Sequence, residues 1–312
     1  MSIERLKFAE LPLDAKTPTL ALLQTIEEAE TKTGKAYVRM TLSDGDSVIT
    51  ANLWNKTKAE IQVAERTVIA VELYPKMYEG KVGYEVFRYG PCDDAKVTDF
   101  IIKAPLESEA MYEEILSLIS KGSGENGLYR LVKSIYEDNK AKLLYWSAAK
   151  SVHHNCYGGL LYHTLRMMRS AFTLTKVYTT INKDVLFAAV ALHDIGKIIE
   201  LETDELGIAD YTVDGTLFGH ALLGIEMINA KASNYDAESV RLLKHCLAAH
   251  HGQLDWGAVS IPAIPEAMML HEIDMIDSRM YQFEKAIEEI AEPGQLGDKV
   301  FGLGTKVYRP MV

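Results

Sequence analysis

All nine histidines of this chain fall between His153 and His271, and most of them occur in an order that suits metal binding. Neutral imidazole and carboxylate are the side chains that hold borderline divalent cations and activate water on them. The pattern therefore predicts a metal-centred hydrolase site. The candidate ligands, in chain order, are His163, His193, Asp194, His220, His250, His251 and Asp274.

The segment from Phe187 to Lys197 carries the most specific signal in the chain. An apolar run there ends in the adjacent residues His193 and Asp194. Burying both without partners costs free energy, and a bound cation would remove that cost. On a helix, Lys197 would reach the same side as these two residues. We predict that Asp194 and Lys197 are catalytic, with the Lys197 ammonium contacting a substrate phosphate or the charge of the transition state.

The flanking histidines have different assignments. His153 and His154 precede a glycine-containing turn. We expect them to line the mouth of the pocket and to contact substrate, and a purely structural role is the alternative. His245 lies within a helical pattern, and we assign it to a helix face rather than to the metal site.

The segment around the last candidate ligand also carries polar residues at helical spacing. His271 lies one turn before Asp274, where it would orient a metal ligand. Asp277 and Ser278 follow three and four residues after Asp274 and continue a polar stripe on an otherwise apolar pattern. Such a stripe must face other polar groups.

Composition and charge limit the classes of function. The chain has 312 residues, of which 48% are hydrophobic, and a net charge of −11. These values indicate a two-domain globular protein and argue against broad coating of duplex nucleic acid. No apolar stretch approaches the about 20 residues needed to cross a bilayer. Three cysteines outside any CxxC motif, and no apolar leader region, predict a cytoplasmic protein without membrane association.

The first 92 residues have the alternating pattern of a β-barrel. Polar and apolar residues alternate, Asp44-Gly45 is a hairpin signal, and a short helix is expected near Lys56–Gln62. Five strands with a helix between the third and fourth is the order of an OB-fold barrel. The first strand is expected from about Thr17, and the others are Tyr37–Leu42, Val48–Trp54, Thr67–Leu73 and Gly83–Tyr89.

The stretch Gly34–Asn55 resembles the nucleic-acid-binding OB module. Aromatic and cationic side chains in this half are of the kind that bind single strands. An aromatic ring could instead fill the barrel, and strand register decides between the two. The predicted substrate-binding residues are Tyr37, Arg39, Trp54 and Arg88.

After a connector over residues 93–105, the periodicity becomes helical. We predict an all-α domain over residues 106–300, with a small non-helical excursion around Ile208–Leu217, and a tail over 301–312. The fold class is thus α+β multidomain, an N-terminal OB-like β-barrel followed by an all-α domain.

The ordered candidate ligands resemble the H…HD…D pattern of the HD-domain metal-dependent phosphohydrolases, over about residues 150–280. The resemblance implies two metal ions bridged by Asp194, and a mononuclear site is the alternative. Nitrogen and oxygen ligands without thiolate favour manganese, cobalt, iron or zinc over magnesium. One ion would be held by His163, His193, Asp194 and Asp274, and the second by Asp194, His220, His250 and His251.

Taken together, the two halves resemble the bacterial YhaM family of 3′→5′ exoribonucleases. Beyond the HD motif, the segments Thr216–His220 and Ala248–Gly257 contribute to the resemblance. It implies manganese- or cobalt-dependent release of nucleoside monophosphates from single-stranded RNA, with DNA as a second substrate. The alternative is a phosphohydrolase of small nucleotides or cyclic dinucleotides. The sequence does not decide the oligomeric state, and a homo-oligomer that encloses the strand is one alternative.

Overall fold

The computed structural model describes residues 3–78, 81–125, 127–149, 156–290 and 292–311. The chain forms two compact units, Met1–Lys103 and Ala104–Val312. Among the described helices, none is long and apolar enough to cross a membrane.

The first unit is a closed five-stranded barrel with the strand order β1-β2-β3-β5-β4. This is the OB arrangement that the sequence predicts, because β3 pairs in parallel with β5 while all other neighbours are antiparallel. The helix expected near Lys56–Gln62 is only a 3₁₀ turn over Lys58–Glu60. The strands are β1 (Thr17–Glu30), β2 (Ala36–Ser43), β3 (Val48–Trp54), β4 (Thr67–Tyr78) and β5 (Lys81–Pro91).

The register of β2 decides which residues fill the barrel. Val38 and Met40 are fully buried in the core. Since side chains alternate along a strand, Tyr37 and Arg39 lie on the outer face. Tyr37 pairs directly with Trp54 across β2 and β3. The outer face of these two strands therefore carries an aromatic pair beside a cation.

The second unit is mainly helical and has one extended apolar core. Helix α4 lies inside it, since every residue from Val185 to Leu192 is buried. A helix that is apolar on all sides requires neighbours on all sides. The helices are α1 (Ser108–Ser123), α2 (Leu128–Leu143), α3 (Gly159–Leu174), α4 (Lys183–Leu192), α5 (Lys197–Glu200), α6 (Val213–Lys231), α7 (Ala237–Ala249) and α8 (Pro265–Glu289).

Two hairpins interrupt the helices. The first, β6 (Leu201–Thr203) with β7 (Ala209–Tyr211), overlaps the excursion predicted around Ile208–Leu217 only through β7, because α6 already begins at Val213. The second, β8 (Leu296–Val300) with β9 (Thr305–Tyr308), is not predicted, so the segment after α8 is neither all-α nor a plain tail. Its turn contains Gly304 at φ 69°, a conformation that favours glycine.

Candidate metal centre

The structure brings the predicted ligands of the second unit into one place, although they come from five helices. His163 lies on α3, Asp274 lies on α8, and the other residues lie at or near the ends of α4, α6 and α7. His193 follows directly after α4, His250 follows directly after α7, and Gly219 breaks the helical geometry of α6 just before His220. Helix ends thus deliver most of these side chains.

The first cluster contains His163, His193, Asp194 and Asp274. The Nε2 atoms of His163 and His193 are 3.2 Å apart. Asp194 Oδ2 lies 3.3 Å from His193 Nε2, and Asp274 Oδ1 lies 3.4 Å from His163 Nε2. Ligand atoms of His163, His193 and Asp194 are close enough to share one metal ion.

The second cluster contains His220, His250 and His251, whose ligand atoms also lie close enough to share an ion. The Nε2 atoms of His220 and His250 are 3.2 Å apart. Asp194 Oδ1 lies 3.4 Å from His220 Nε2, while Asp194 Oδ2 faces the first cluster. The two oxygens of Asp194 therefore point to different clusters, as a bridging carboxylate requires.

The Nδ1 atoms of four of the histidines all make hydrogen bonds. Backbone carbonyl groups accept hydrogen bonds from His193 and His250, so the Nδ1 atoms of both rings carry the proton. The Nε2 atoms of these rings then turn lone pairs toward the centre, which suits a cation. The four Nδ1 partners are Asp277 Oδ2 for His163 at 2.7 Å, Val190 O for His193 at 2.9 Å, Glu200 Oε1 for His220 at 3.1 Å and Leu247 O for His250 at 2.6 Å.

Neighbouring charged groups at the site change one another's pKa values. Burial opposes ionisation of Asp194, but Lys197 and His193 outweigh it and hold the pKa of Asp194 well below its usual range. Burial likewise opposes ionisation of Asp274, yet the hydrogen bond from His163 lowers the pKa of Asp274. Burial and the neighbouring histidines lower the pKa of His250. The carboxylates are therefore ionised and His250 is neutral at neutral pH, which are the forms that bind metal.

Lys197 reaches Asp194 by a different local structure from the one expected. Helix α4 ends at Leu192, a turn follows, and Lys197 opens the short α5. Its Nζ lies 2.7 Å from Asp194 Oδ2. Burial opposes the Lys197 charge, but Asp194 raises the pKa of the ammonium. Lys197 is thus a buried cation beside the clusters.

A pocket of about 400 Å³ opens onto both clusters, a size in the usual range for small ligands. Acidic, basic and imidazole groups form its floor, and apolar side chains form part of its wall. Its lining residues include Asp194, Lys197, Glu200, Leu201, Tyr211, His220, His250, His251, Trp256, Asp274, Met275 and Ser278.

Several supporting residues are visible only in the structure. Glu200 accepts hydrogen bonds from both the Nδ1 and the backbone N–H of His220. Arg166 donates to Asp277, the residue that orients His163. Glu200 follows Lys197 by three residues and Arg166 follows His163 by three, so helical spacing was an available but weak signal.

The residues that flank the candidate ligands have different surroundings. Asp277 faces His163, and Ser278 lines the pocket, so the polar stripe on α8 does face polar groups. His271 Nδ1 donates to His250 O at 2.8 Å, and His245 Nε2 accepts from a backbone amide. The predicted substrate contacts His153 and His154 lie outside the described residues.

Of the predicted nucleic-acid-binding residues in the first unit, three lie together and Arg88 lies apart from them. The Tyr37 and Trp54 rings are 4.9 Å apart, and Arg39 donates to the Tyr37 hydroxyl at 2.9 Å. Trp54 is 41% exposed, whereas Tyr37 is 8% exposed and lies beneath it. Arg88 lies on β5, with its side chain exposed and 3.8 Å from Glu72. Trp54 is therefore the ring of this pair that offers a free face.

Comparison with known proteins agrees with this organisation. The family model described as HD domain matches residues 160–279, so the helical unit contains an HD domain. The 3′-5′ exoribonuclease YhaM of Oceanobacillus iheyensis is 33% identical over 298 residues, which cover 93% of this chain and 92% of the relative. The chain belongs to the YhaM family.

Two solved structures resemble part of the chain, and both are domains of replication protein A from Methanococcus maripaludis. The solution structure of the second OB-fold domain is 20% identical, covers 30% of this chain and 99% of that chain, and has a TM-score of 0.24. The crystal structure is 24% identical, covers 28% and 93%, and has a TM-score of 0.24.

Proposed function

We propose that this protein is a metal-dependent 3′→5′ exoribonuclease that releases nucleoside monophosphates from single-stranded RNA, and from DNA as a second substrate. The observation that carries the proposal is the pair of histidine clusters joined by the two oxygens of Asp194. The name of the relative that spans 93% of the chain supports the same activity.

The donor set fits two divalent ions. We assign His163, His193, Asp194 and Asp274 to one ion, and Asp194, His220, His250 and His251 to the other. Imidazole and carboxylate donors without thiolate suit manganese, cobalt, iron or zinc better than magnesium, and among these the family resemblance favours manganese. When bound, such ions activate water and neutralise the charge on the scissile phosphate.

Residues of the chain perform the remaining tasks. Lys197 lines the pocket and holds its proton, so its ammonium would donate a hydrogen bond to a non-bridging phosphate oxygen. Glu200 and Asp277 fix the rings of His220 and His163 through their Nδ1 atoms. Water attacks the phosphorus, the bond to the upstream 3′-oxygen breaks, and that oxygen leaves with a proton from solvent.

The barrel would bind the strand upstream of the scissile bond. OB-folds bind oligonucleotides on the face of their second and third strands, where Trp54 and Arg39 lie. Stacking on Trp54 tolerates any base, and Arg39 offers a cation to the backbone. Arg88 is a further exposed cation, and Tyr37 supports the Trp54 ring from below. This arrangement would suit a nuclease without sequence preference.

The test is to incubate the protein with manganese and 5′-labelled single-stranded RNA, beside DNA, a cyclic dinucleotide and a mononucleotide. We expect a ladder that shortens from the 3′ end. Asp194→Ala should abolish hydrolysis but retain strand binding, because Asp194 serves both clusters while the barrel stays intact. Glu272→Ala, an exposed change on the helix that carries Asp274, is the matched control.

Two results would contradict the proposal. Preferential turnover of the cyclic dinucleotide or the mononucleotide would point to a small-nucleotide phosphohydrolase. Unchanged hydrolysis in Asp194→Ala would separate the activity from this site altogether.

A further inference from the structure

Two aromatic side chains stand at the rim of the metal pocket. Tyr211 is 55% exposed and Trp256 is 54% exposed, while Asp194 and His250 on the floor are 4% and 1% exposed. All four line the same pocket. The pocket therefore changes from charged at its floor to aromatic at its rim.

The backbone holds Tyr211 in place at the end of β7. The next residue, Thr212, donates from its backbone N–H to Glu200 O at 3.0 Å and from its hydroxyl to Ile199 O at 2.8 Å. Both acceptors belong to α5, which starts with Lys197. The backbone next to Tyr211 is thus tied to the helix that starts with Lys197, while the Tyr211 ring itself is open to solvent.

Trp256 is connected to a different part of the site, through His271. It ends a 3₁₀ turn over Leu254–Trp256, and its ring centroid lies 6.0 Å from that of His271. His271 in turn donates to His250 O. Packing against His271 therefore couples the Trp256 ring to the backbone that carries the second histidine cluster.

We propose that Tyr211 and Trp256 stack on the base of the 3′-terminal nucleotide while its phosphate lies on the pocket floor. A nucleotide has an anionic end and a flat aromatic end, and the pocket presents matching groups in the same order. Stacking accepts every base, since each has a π-face. This proposal rests on the proposed exonuclease function and identifies the terminal base as the part of the substrate that the two aromatic rings bind.

The test compares kcat/KM of wild type and of two variants on two substrates. Oligoribonucleotides with a normal or an abasic 3′-terminal nucleotide are compared with wild type, Tyr211→Ala and Trp256→Ala. On the normal strand each variant should lower kcat/KM about 5- to 150-fold, mainly through KM. On the abasic strand the same variants should have little further effect, because the stacking partner is already gone.

Controls separate stacking from general damage. Trp256→Phe should recover most of the loss, and Tyr178→Ala, a change at a tyrosine with 53% exposure that does not line the pocket, should resemble wild type. Equal losses on normal and abasic strands, or no loss on the normal strand, would overturn the proposal.

Binding without turnover distinguishes this proposal from the proposed function. In the presence of manganese, adenosine monophosphate should bind more tightly than ribose 5-phosphate in calorimetry, and Trp256→Ala should reduce this difference in affinity. If the protein hydrolyses no RNA but keeps that difference, only the exonuclease proposal fails. If both ligands bind wild type equally, base stacking at this rim is wrong.

Discussion

At the scale of single residues, the site depends on partners that hold each ligand in one orientation. Asp277 is such a partner and connects the ligand His163 with Arg166, because it accepts hydrogen bonds from His163 Nδ1 and from Arg166 Nε. Arg166 in turn pairs with the exposed carboxylate of Glu284 at 2.8 Å. Asp277 therefore lies between the ligand His163 and the surface. Its loss should lower the affinity for metal more than it lowers the stability of the fold.

We expect Asp277→Asn to weaken manganese binding about 10- to 100-fold, because the anionic acceptor that orients His163 is lost. A calorimetric manganese titration measures this directly. Glu284→Gln is the matched control and should change affinity little, since it alters only an exposed ion pair. Equal affinity in wild type and Asp277→Asn would show that His163 needs no anionic partner.

At the scale of elements, close contact between α5 and α6 positions His220. Gly196, just before α5, has φ −63°, which any residue adopts. A Cβ atom there would nevertheless lie 2.0 Å from His220 O and 2.6 Å from Gly224 N. Glycine is needed at this position for space rather than for backbone freedom, and the glycine of the motif after His193-Asp194 thus has a packing role.

Gly196→Ala should therefore displace α6 and move His220 away from Asp194. We expect a loss of about 1–3 kcal/mol in stability from the forced shift, together with loss of manganese-dependent activity. Urea unfolding and the RNA ladder assay measure the two effects. Gly90→Ala is the control, because nothing lies within 4 Å of a Cβ atom at Gly90. Full activity in Gly196→Ala would mean that α6 relaxes without moving His220.

At the scale of the whole molecule, acidity and buried imidazole clusters both make the protein sensitive to ions. The net charge of −11 gives no broad attraction for RNA, so strand binding must rest on stacked bases and a few cations. The histidine and carboxylate clusters of the second unit would gain stability from bound cations. Salt and divalent metal should therefore have separate, measurable effects.

Strand affinity should fall with salt. With Asp194→Ala as a non-cleaving binder, a plot of log K against log salt should have a slope of about −0.7 for each phosphate neutralised. Arg39→Ala should make this slope shallower by about one such contribution. Fluorescence anisotropy at several salt concentrations tests this, and equal binding at low and moderate salt would count against RNA binding by the barrel.

Divalent metal should stabilise the fold. Manganese at about 100 times its dissociation constant should add about 2.7 kcal/mol for one site, and chelation should reverse the gain. Magnesium should stabilise less, because imidazole donors suit it poorly. Thermal melts of wild type and Asp194→Ala report the difference; an unfolding temperature that does not change with manganese would argue against a cation in either cluster.

Local sequence signals were enough to predict the five barrel strands, the helical character of the second unit and the order of the candidate ligands. Alternation with period two marks the strands of the barrel. Because this pattern is local, it predicts the strands that form in the structure. The His193-Asp194 pair stands out for the same reason, since an apolar run that ends in two polar residues needs a partner. The C-terminal hairpin was missed because its strands, with Asp298 and Lys299 in β8, show no clear alternation.

Which side chains meet could be read only from the folded chain. Barrel closure puts Tyr37 under Trp54 rather than in the core, and the packing of α6 against α5 brings Glu200 to His220. Asp194 Oδ2 faces His193, its neighbour in sequence, whereas Asp194 Oδ1 faces His220, which the packing of α6 brings to the site. Such contacts depend on helix packing in three dimensions, and no local pattern encodes the direction in which a carboxylate oxygen points.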